Sequence, residues 1–186
     1  MSILLTKGSK VKLEKEDGSQ IVRFDAGLGW DTADNGQDFD LDVSVVANKA
    51  DGKVLNEKYF VYFNNEDSPC KGIHHTGDNL TGEGDGDDET IQFDLSKIPA
   101  EVNEMVITVN VYEAVNRNQN FGQVENAFCR IIADGVETHK YDLTEDFSTE
   151  TALVMGRIYR HGGGWKFAAE GKPFADLKTI ISQYGL

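Results

Sequence analysis

Carboxylate side chains are concentrated in two short segments of this sequence. Residues 31–42 (DTADNGQDFDLD) contain five aspartates, residues 76–89 (TGDNLTGEGDGDDE) contain six acidic residues, and neither segment contains a lysine or an arginine. Two carboxylates held about 6 Å apart repel each other by roughly 3 kcal/mol at an effective dielectric constant of about 20, although solvent screening reduces this energy. A fold that gathers these side chains therefore favours the binding of a multivalent cation.

The residue types in the two segments indicate which cation would bind. Asp38, Asp40 and Asp42 alternate with apolar residues, so in a strand they share one face with Cα atoms about 7 Å apart. Glycines between the acids of residues 76–89 allow the chain to curl inward. All-oxygen ligands suit a hard ion, and a flexible loop suits the roughly six to eight oxygens of Ca²⁺ better than the octahedron of Mg²⁺. We predict calcium at two or more sites, because eleven acids exceed the needs of one ion.

Other interpretations of the acidic segments remain open. An EF-hand is excluded, since no window fits D-x-[DN]-x-[DN]-G-x5-E, but a charge run is often only a solvated surface. A carboxylate cluster can also bind paired ions that activate water against a phosphoester, or an acidic scaffold can bind a basic partner directly. The sequence contains no nucleophile elbow, phosphate-binding glycine loop or acid/base pair. We therefore expect a binding module rather than an enzyme, with a metal-dependent hydrolase as the alternative.

In the segments that must position these residues, apolar and polar residues mainly alternate with a period of two, which is typical of strands. The strands expected from alternation or from short apolar runs are IVRF (21–24), FDLDVSV (39–45), FVYF (60–63), TIQFDL (90–95) and MVITVNVY (105–112). The last is apolar on both faces and is expected to be central. Glycine-containing turns are expected at residues 50–53, 134–135 and 162–164, since glycine tolerates a positive φ.

Only the C-terminus has helical spacing. Phe174, Leu177, Ile181 and Tyr184 form one apolar stripe that begins after Pro173, as expected of a helix packed on one side. Short strands at turn spacings of about ten residues, without alternating helices, indicate two sheets. The predicted fold is an all-β, two-sheet antiparallel β-sandwich with a short C-terminal helix.

The composition limits the possible partners and location. The chain has 186 residues, 18 Lys and Arg against 32 Asp and Glu, and a formal charge of −14, which together predict one domain over residues 1–186. The acidic excess argues against nucleic acid. No run approaches the roughly 20 apolar residues of a membrane span, so no membrane insertion is expected. Cys70 and Cys129 form no CxxC, and the N-terminal apolar run is too short for a signal peptide, so a cytoplasmic location is predicted.

Seven strings of the sequence, in the same order, closely resemble the TerD family. They are GLGWD (27–31), GQDFDLD (36–42), FNN (63–65), HTGDNLTGEGDGDDE (75–89), QNFGQV (119–124), EDFSTETA (145–152) and YRHGGGWKF (159–167). That family comprises bacterial tellurium-resistance and general stress proteins. The resemblance implies a β-sandwich that binds two calcium ions through the acidic segments. It also implies a signalling or scaffold role in stress, together with other tellurite-resistance proteins and a membrane partner.

Carried onto this chain, the resemblance implies a set of metal ligands drawn from both acidic segments. These are Asp31, Asp38, Asp40, Asn65, Asp78, Asn79, Glu83, Asp85, Asp87, Asp88 and Glu89. Asp42 matches the family string too, and both a ligand role and a supporting role remain open for it. For His74 and His75, beside the second segment, a structural role and a role as zinc ligand or proton carrier are both open. Trp30 is expected to pack beneath the site and fix the carboxylate of Asp31.

Overall fold

The computed structural model describes residues 3–4, 8–15, 17–31, 38–82, 86–143 and 147–186. These residues form twelve strands and two α-helices, together with short 3-10 turns. In chain order the strands are β1 (Ile3–Leu4), β2 (Lys10–Lys12), β3 (Arg23–Asp31), β4 (Leu41–Asn48), β5 (Phe60–Val61), β6 (Ile73–His75), β7 (Glu89–Asp94), β8 (Glu104–Val111), β9 (Glu125–Ala133), β10 (Val136–Asp142), β11 (Ala152–His161) and β12 (Gly164–Phe174). The helices are α1 (Ala114–Arg117) and α2 (Leu177–Gln183).

The strands are arranged in two six-stranded sheets, which confirms the predicted sandwich. The first sheet has the order β1-β10-β9-β3-β7-β6 and the second has the order β2-β12-β11-β8-β4-β5. Neighbouring strands are antiparallel except β1, which pairs parallel with β10. Strand β8 lies between β11 and β4, so the apolar segment MVITVNVY is central, as predicted.

The core lies between the two sheets and follows the period-two pattern of the sequence. Ala26, Leu28 and Trp30 of β3 and Leu41 and Val43 of β4 are buried in one apolar cluster. Successive side chains of a strand point to opposite faces. The alternate residues of β3 and β4, which include the glycines and aspartates of the acidic strings, therefore face away from this core.

The predicted hairpin turns are confirmed. Asp134 and Gly135 join β9 to β10 with φ values of 52° and 74°, and Gly162 and Gly163 join β11 to β12 with φ values of 59° and 83°. Positive φ at both central positions gives the turn the twist that matches antiparallel strands. Gly52, with φ of 76°, lies in the expected turn at residues 50–53.

The predicted strand FVYF is wrong in its second half. Strand β5 ends at Val61, because Tyr62 and Asn65 then close a tight turn with reciprocal backbone hydrogen bonds of 3.2 and 2.9 Å. As a result β5 pairs only with Val45 and Val46 of β4. The part of β4 that carries Asp42 has no neighbouring strand on that side in the described chain.

The C-terminal helix is confirmed, but it begins later than predicted. Phe174 belongs to β12, where it pairs with Ala152, and α2 begins at Leu177 after Asp176, whose side chain accepts a hydrogen bond from the Thr179 N–H. Ile180 of α2 is buried with residues on the outer face of the second sheet, and Phe174 packs against the same cluster. The predicted stripe is therefore only partly right: Phe174 and Tyr184 pack against this cluster, but the buried residue of α2 is Ile180, which the stripe did not include. Neither helix of the described chain is long and apolar enough to cross a membrane.

Candidate metal centre

Three aspartates from two distant parts of the chain, Asp40, Asp42 and Asp78, meet at the beginning of β4. Asp40 directly precedes the strand, Asp42 lies in it, and Asp78 follows β6. One carboxylate oxygen from each lies within 4.8 Å of the other two. The aspartates line a cavity of about 770 Å³ together with Asp38, Tyr112 and other residues.

Two of these aspartates are deeply buried. Asp40 is 3% exposed and Asp42 is 4% exposed. Burial raises the pKa of Asp40 to about 6, with Asp78 adding to the rise and Arg117 opposing it. Burial also raises the pKa of Asp42 to about 7, and the nearby Glu89 carboxylate contributes. Since burial disfavours the charged form of a carboxylate, a bound cation would favour ionisation of both groups in the folded protein.

The hydrogen bonds around the cluster satisfy only part of it. Asn110 of β8 donates to Asp42 Oδ2 at 2.8 Å, and a guanidinium nitrogen of Arg117 lies 3.8 Å from Asp40 Oδ2. Asp40 Oδ1 is buried without a hydrogen-bond partner in the described part of the chain. A buried acceptor without a partner carries the full cost of its lost hydration, so it is an available ligand for a cation.

Glu89, the first residue of β7, is a fourth carboxylate that interacts electrostatically with this cluster, since its charge helps to raise the pKa of Asp42. It is not one of the three side chains whose oxygens lie within 4.8 Å of one another. Its Oε2 accepts a hydrogen bond from the Val43 N–H at 2.8 Å. Val43 lies in the part of β4 that β5 does not pair with. Its Oε1 is buried and has no hydrogen-bond partner among the described residues. Burial raises the pKa of Glu89, and Asp78 adds a smaller electrostatic contribution in the same direction. We call Asp40, Asp42, Asp78 and Glu89 the β4 carboxylate group.

A second set of acids lies against β3. Asp88 Oδ2 accepts the Trp30 N–H at 2.9 Å and Asp88 Oδ1 accepts from the Asn79 amide at 2.9 Å. Burial raises the pKa of Asp88, and the charges of Asp31 and Asp87 contribute. Consecutive residues entering a strand point to opposite sides, which separates Asp88 from Glu89. We call Asp31, Asp87 and Asp88 the β3 carboxylate group.

Two glycines of β3 make room for this second group. A Cβ at Gly27 would overlap the carboxyl group of Asp87, and a Cβ at Gly29 would lie 2.5 Å from the carbonyl oxygen of Gly86. The Asp88 N–H donates to the Leu28 carbonyl at 2.8 Å. Residues 86–88 therefore lie directly on the outer face of β3, and at Gly29 the nearby backbone carbonyl leaves no room for a Cβ.

Several predicted ligands lie elsewhere or have other partners. Asp38 is exposed and lines the cavity, whereas Asn65 lies in the turn after β5, where its amide donates to the carbonyls of Lys58 and Phe60. Asn79 Oδ1 accepts the backbone N–H groups of Thr81 and Gly82, both at 3.1 Å. Glu83 and Asp85 lie outside the described residues.

The interpretation of Trp30 needs correction, and the fold brings to the acids a cation that is not near them in the sequence. The Trp30 backbone N–H binds Asp88 rather than Asp31, and its indole N–H donates to the Phe39 carbonyl at 2.9 Å. Asp31 instead accepts from the Asn126 amide. Arg130 of β9 forms an ion pair with Asp87 at 2.7 Å. Arg130 is far from the acidic segments in sequence, and only the pairing of β3 with β9 brings it close.

The donor set of the β4 carboxylate group suits a hard divalent cation. All its candidate ligand atoms are carboxylate oxygens, two of them buried and without partners in the described chain. Oxygen-rich sites of this kind suit calcium or magnesium, whereas softer metals prefer histidine and cysteine. Cys70 and Cys129 do not belong to the cluster, and burial raises the pKa of Cys129 to about 12.

The fold and this site define an all-β sandwich with a buried carboxylate cluster that opens into a polar cavity. The TerD domain matches residues 1–184, and the chain belongs to the TerD family. It is 45% identical over 190 residues to tellurium resistance protein TerD of Serratia marcescens, covering 100% of this chain and 98% of that protein. It is 44% identical over 191 residues to general stress protein 16U of Bacillus subtilis, with 100% and 98% covered.

The fold has also been observed in a distant relative. A crystal structure of a homologue of telluride resistance protein TerD from Streptomyces coelicolor superimposes with a TM-score of 0.74 at 22% identity, covering 87% of this chain and 95% of that one. At this identity the similarity supports the β-sandwich fold alone.

Proposed function

We propose that this protein is a calcium-binding module of a stress response, which binds about two Ca²⁺ ions and acts as a signalling or scaffold component. The observation that carries the proposal is the β4 carboxylate group, of which only Asp78 is exposed. Asp40 and Glu89 each have a buried oxygen without a hydrogen-bond partner among the described residues. The names of its relatives, which include tellurium resistance and general stress proteins, support a role in resistance or stress. Other relatives are named TerZ and TerX, and we propose that proteins of this kind, including one at a membrane, are its partners.

The residues of the β4 carboxylate group would hold the first ion. Asn110 donates a hydrogen bond to one oxygen of Asp42, and the Val43 N–H donates to one oxygen of Glu89. Each bond thereby fixes the direction of the other oxygen of the same carboxylate. When bound, the cation supplies the positive charge that offsets the burial and mutual repulsion of these carboxylates. Binding would therefore hold Asp78, which follows β6 of the first sheet, against Asp40 and Asp42 at the beginning of β4 in the second sheet.

The second ion is expected at the β3 carboxylate group, with lower affinity. Both oxygens of Asp88 already accept hydrogen bonds, and Asp87 is paired with Arg130. A cation there must compete with these contacts. Asp88 of one group and Glu89 of the other point to opposite sides of the chain where β7 begins, which argues against one shared cage. The structure therefore supports two unequal sites rather than one binuclear centre.

Calcium is expected to raise the thermal stability of the metal-free protein. A ligand that binds only the folded state at about 100 times its Kd adds about 2.7 kcal/mol per site, which corresponds to roughly 5–10 °C in a chain of this length. The measurement is thermal unfolding of chelator-treated protein with excess Ca²⁺, with excess Mg²⁺ and with chelator alone, followed by calorimetric titration. A smaller effect of Mg²⁺ and a stoichiometry near two are expected. Superimposed melting curves would rule out the proposal.

One observation favours a second candidate, a metal-dependent phosphoester hydrolase. Arg117 lines the same cavity as the aspartates, 3.8 Å from Asp40, with its guanidinium over the Tyr112 ring. A cation cluster with an adjacent guanidinium can bind an anionic phosphoester and stabilise charge during its hydrolysis. The cavity, at about 770 Å³, has the size of a small-molecule site.

The hydrolase candidate predicts metal-dependent turnover of a generic phosphodiester such as bis(p-nitrophenyl) phosphate. With Mg²⁺ or Mn²⁺, activity should be lost in Asp78→Asn and reduced at least tenfold in Arg117→Ala, as expected for loss of a charged group in contact with substrate. The matched control is Arg23→Ala, which removes an arginine outside the cavity. Activity that survives Asp78→Asn would come from a contaminant, and a protein without turnover leaves the binding module as the function.

A further inference from the structure

His75 is a fully buried histidine that contacts two parts of the proposed calcium site. It is 0% exposed, and its Nδ1 accepts the Gly77 N–H at 3.2 Å. Because Nδ1 accepts this hydrogen bond, it carries no proton, and the ring N–H must be on Nε2. Nε2 lies 3.4 Å from Glu89 Oε2, which is longer than a normal hydrogen bond, and it has no hydrogen-bond partner among the described residues, so the contact with the carboxylate is electrostatic.

These two contacts constrain two carboxylates of the β4 group. Glu89 Oε2 faces both the His75 ring and the Val43 N–H, which leaves Oε1 as the oxygen without a partner in the described chain. Gly77 directly precedes Asp78 and has a φ of 135°, a conformation that favours glycine. The bond from Gly77 to His75 fixes the chain at this bend, and therefore the position from which the Asp78 side chain enters the cluster.

We propose that His75 is a positioning residue of the cation site, which orients Glu89 through Nε2 and the Gly77–Asp78 backbone through Nδ1. The inference rests on the proposed calcium-binding function and adds a residue to it. A purely apolar side chain would fill the same volume without the cost of burying two ring nitrogens. The ring is instead arranged with one nitrogen toward each part of the site. Groups that hold metal ligands in place typically contribute 10–100-fold to metal affinity.

The neighbouring His74 provides a matched control. It precedes His75 in β6 and points to the opposite face, where it is 42% exposed and lies 3.2 Å from Asp67. The same substitution at the two positions therefore removes the same ring, once beside the carboxylate group and once away from it. His75→Gln and His75→Asn separate the two proposed contacts. Glutamine can place a donor near the position of Nε2, and asparagine can place an acceptor near the position of Nδ1.

The test is calorimetric titration of the metal-free variants with CaCl₂. We expect His75→Phe to weaken the tighter site 10–100-fold, His74→Phe to leave both sites unchanged, and His75→Gln and His75→Asn each to recover part of the affinity. Folding is checked by circular dichroism and thermal melting in chelator. If His75→Phe does not fold, the comparison is made with His75→Gln and His75→Asn. If folded His75→Phe binds calcium with wild-type affinity, the inference is overturned. If His75→Phe does not fold, wild-type affinity in both His75→Gln and His75→Asn overturns it. In either case the proposal of calcium binding stands.

A second readout does not depend on the metal. Long-range ¹H–¹⁵N spectra of the metal-free protein should show that the His75 ring is the tautomer protonated on Nε2. The ¹H chemical shifts of the ring should change in Glu89→Gln but not in Asp38→Asn. The opposite tautomer, or a signal indifferent to Glu89→Gln, overturns the positioning role. If the wild-type protein binds no calcium, the proposed function fails, and this spectrum still decides whether His75 holds Glu89.

Discussion

Asp42→Asn is expected to stabilise the metal-free protein and, at the same time, to remove most of its response to calcium. Asp42 is buried, and its burial and the charge of Glu89 raise its pKa to about 7. Its ionised form therefore destabilises the folded state in the absence of a cation. Asparagine has nearly the same shape and can still accept the hydrogen bond from Asn110 through its side-chain oxygen. The change thus removes a charge without leaving a cavity.

The expected gain in unfolding free energy follows from the pKa of Asp42. A folded-state pKa above the ordinary aspartate value means that the folded protein binds more protons than the unfolded chain, so stability is lost as pH rises. The loss begins near pH 4, is complete above about pH 7, and is on the order of 4 kcal/mol at full ionisation. In chelator, the advantage of Asp42→Asn should therefore grow from pH 4 to pH 7 and then stay level, as measured by urea unfolding.

The control for this prediction is Asp38→Asn, which removes the same charge from the same cavity. Asp38 is exposed, so in chelator the substitution should change the unfolding free energy by no more than about 0.5 kcal/mol. With calcium, Asp42→Asn should lose most of the thermal shift of the tighter site, because a neutral amide oxygen replaces a charged ligand. A metal-free Asp42→Asn that is less stable than wild type at pH 8 would contradict our view of the cluster.

The sheets were predictable from the sequence because strand burial depends on local alternation. Leu41 and Val43 face the core as their spacing requires, and the turn at Asp134 is set by residues that tolerate positive φ. The early end of β5 was not predictable, since FVYF is apolar throughout. A turn closed by Tyr62 and Asn65 ends the strand. Helix α1 was missed because its four residues show no complete helical repeat.

The site was only partly predictable, because its assembly depends on where strands stop and which strands pair. Alternation places Asp42 opposite the core, but its burial depends on elements distant in sequence, such as Asn110. The separation of Asp88 from Glu89 requires knowing that β7 begins at Glu89. His75 carried one usable signal, its position two residues before Gly77 and three residues before Asp78. The calcium ligands themselves were indicated by family resemblance and remain predictions.

Gly29→Ala is expected to remove the weaker calcium site and to lower stability, while the tighter site remains. An alanine Cβ would lie 2.5 Å from the Gly86 carbonyl oxygen and 2.5 Å from the Phe128 ring. A ring can rotate, but a backbone carbonyl cannot move without displacing its segment. That segment is bound to β3 by the Asp88 N–H, which donates to the Leu28 carbonyl. Overpacking of this kind costs about 1–3 kcal/mol.

Because Asp88 belongs to the displaced segment, calorimetric stoichiometry in Gly29→Ala should fall from about two ions to about one. Gly164→Ala is the matched control. Gly164 is also in a strand without a positive φ, and its Cβ would lie 3.2 Å from the amide of Gln20, the end of a flexible side chain. We therefore expect Gly164→Ala to retain both ions. If Gly29→Ala bound two ions with unchanged affinity, the β3 carboxylate group would not be a cation site, and its acids would serve only to hold the segment on β3.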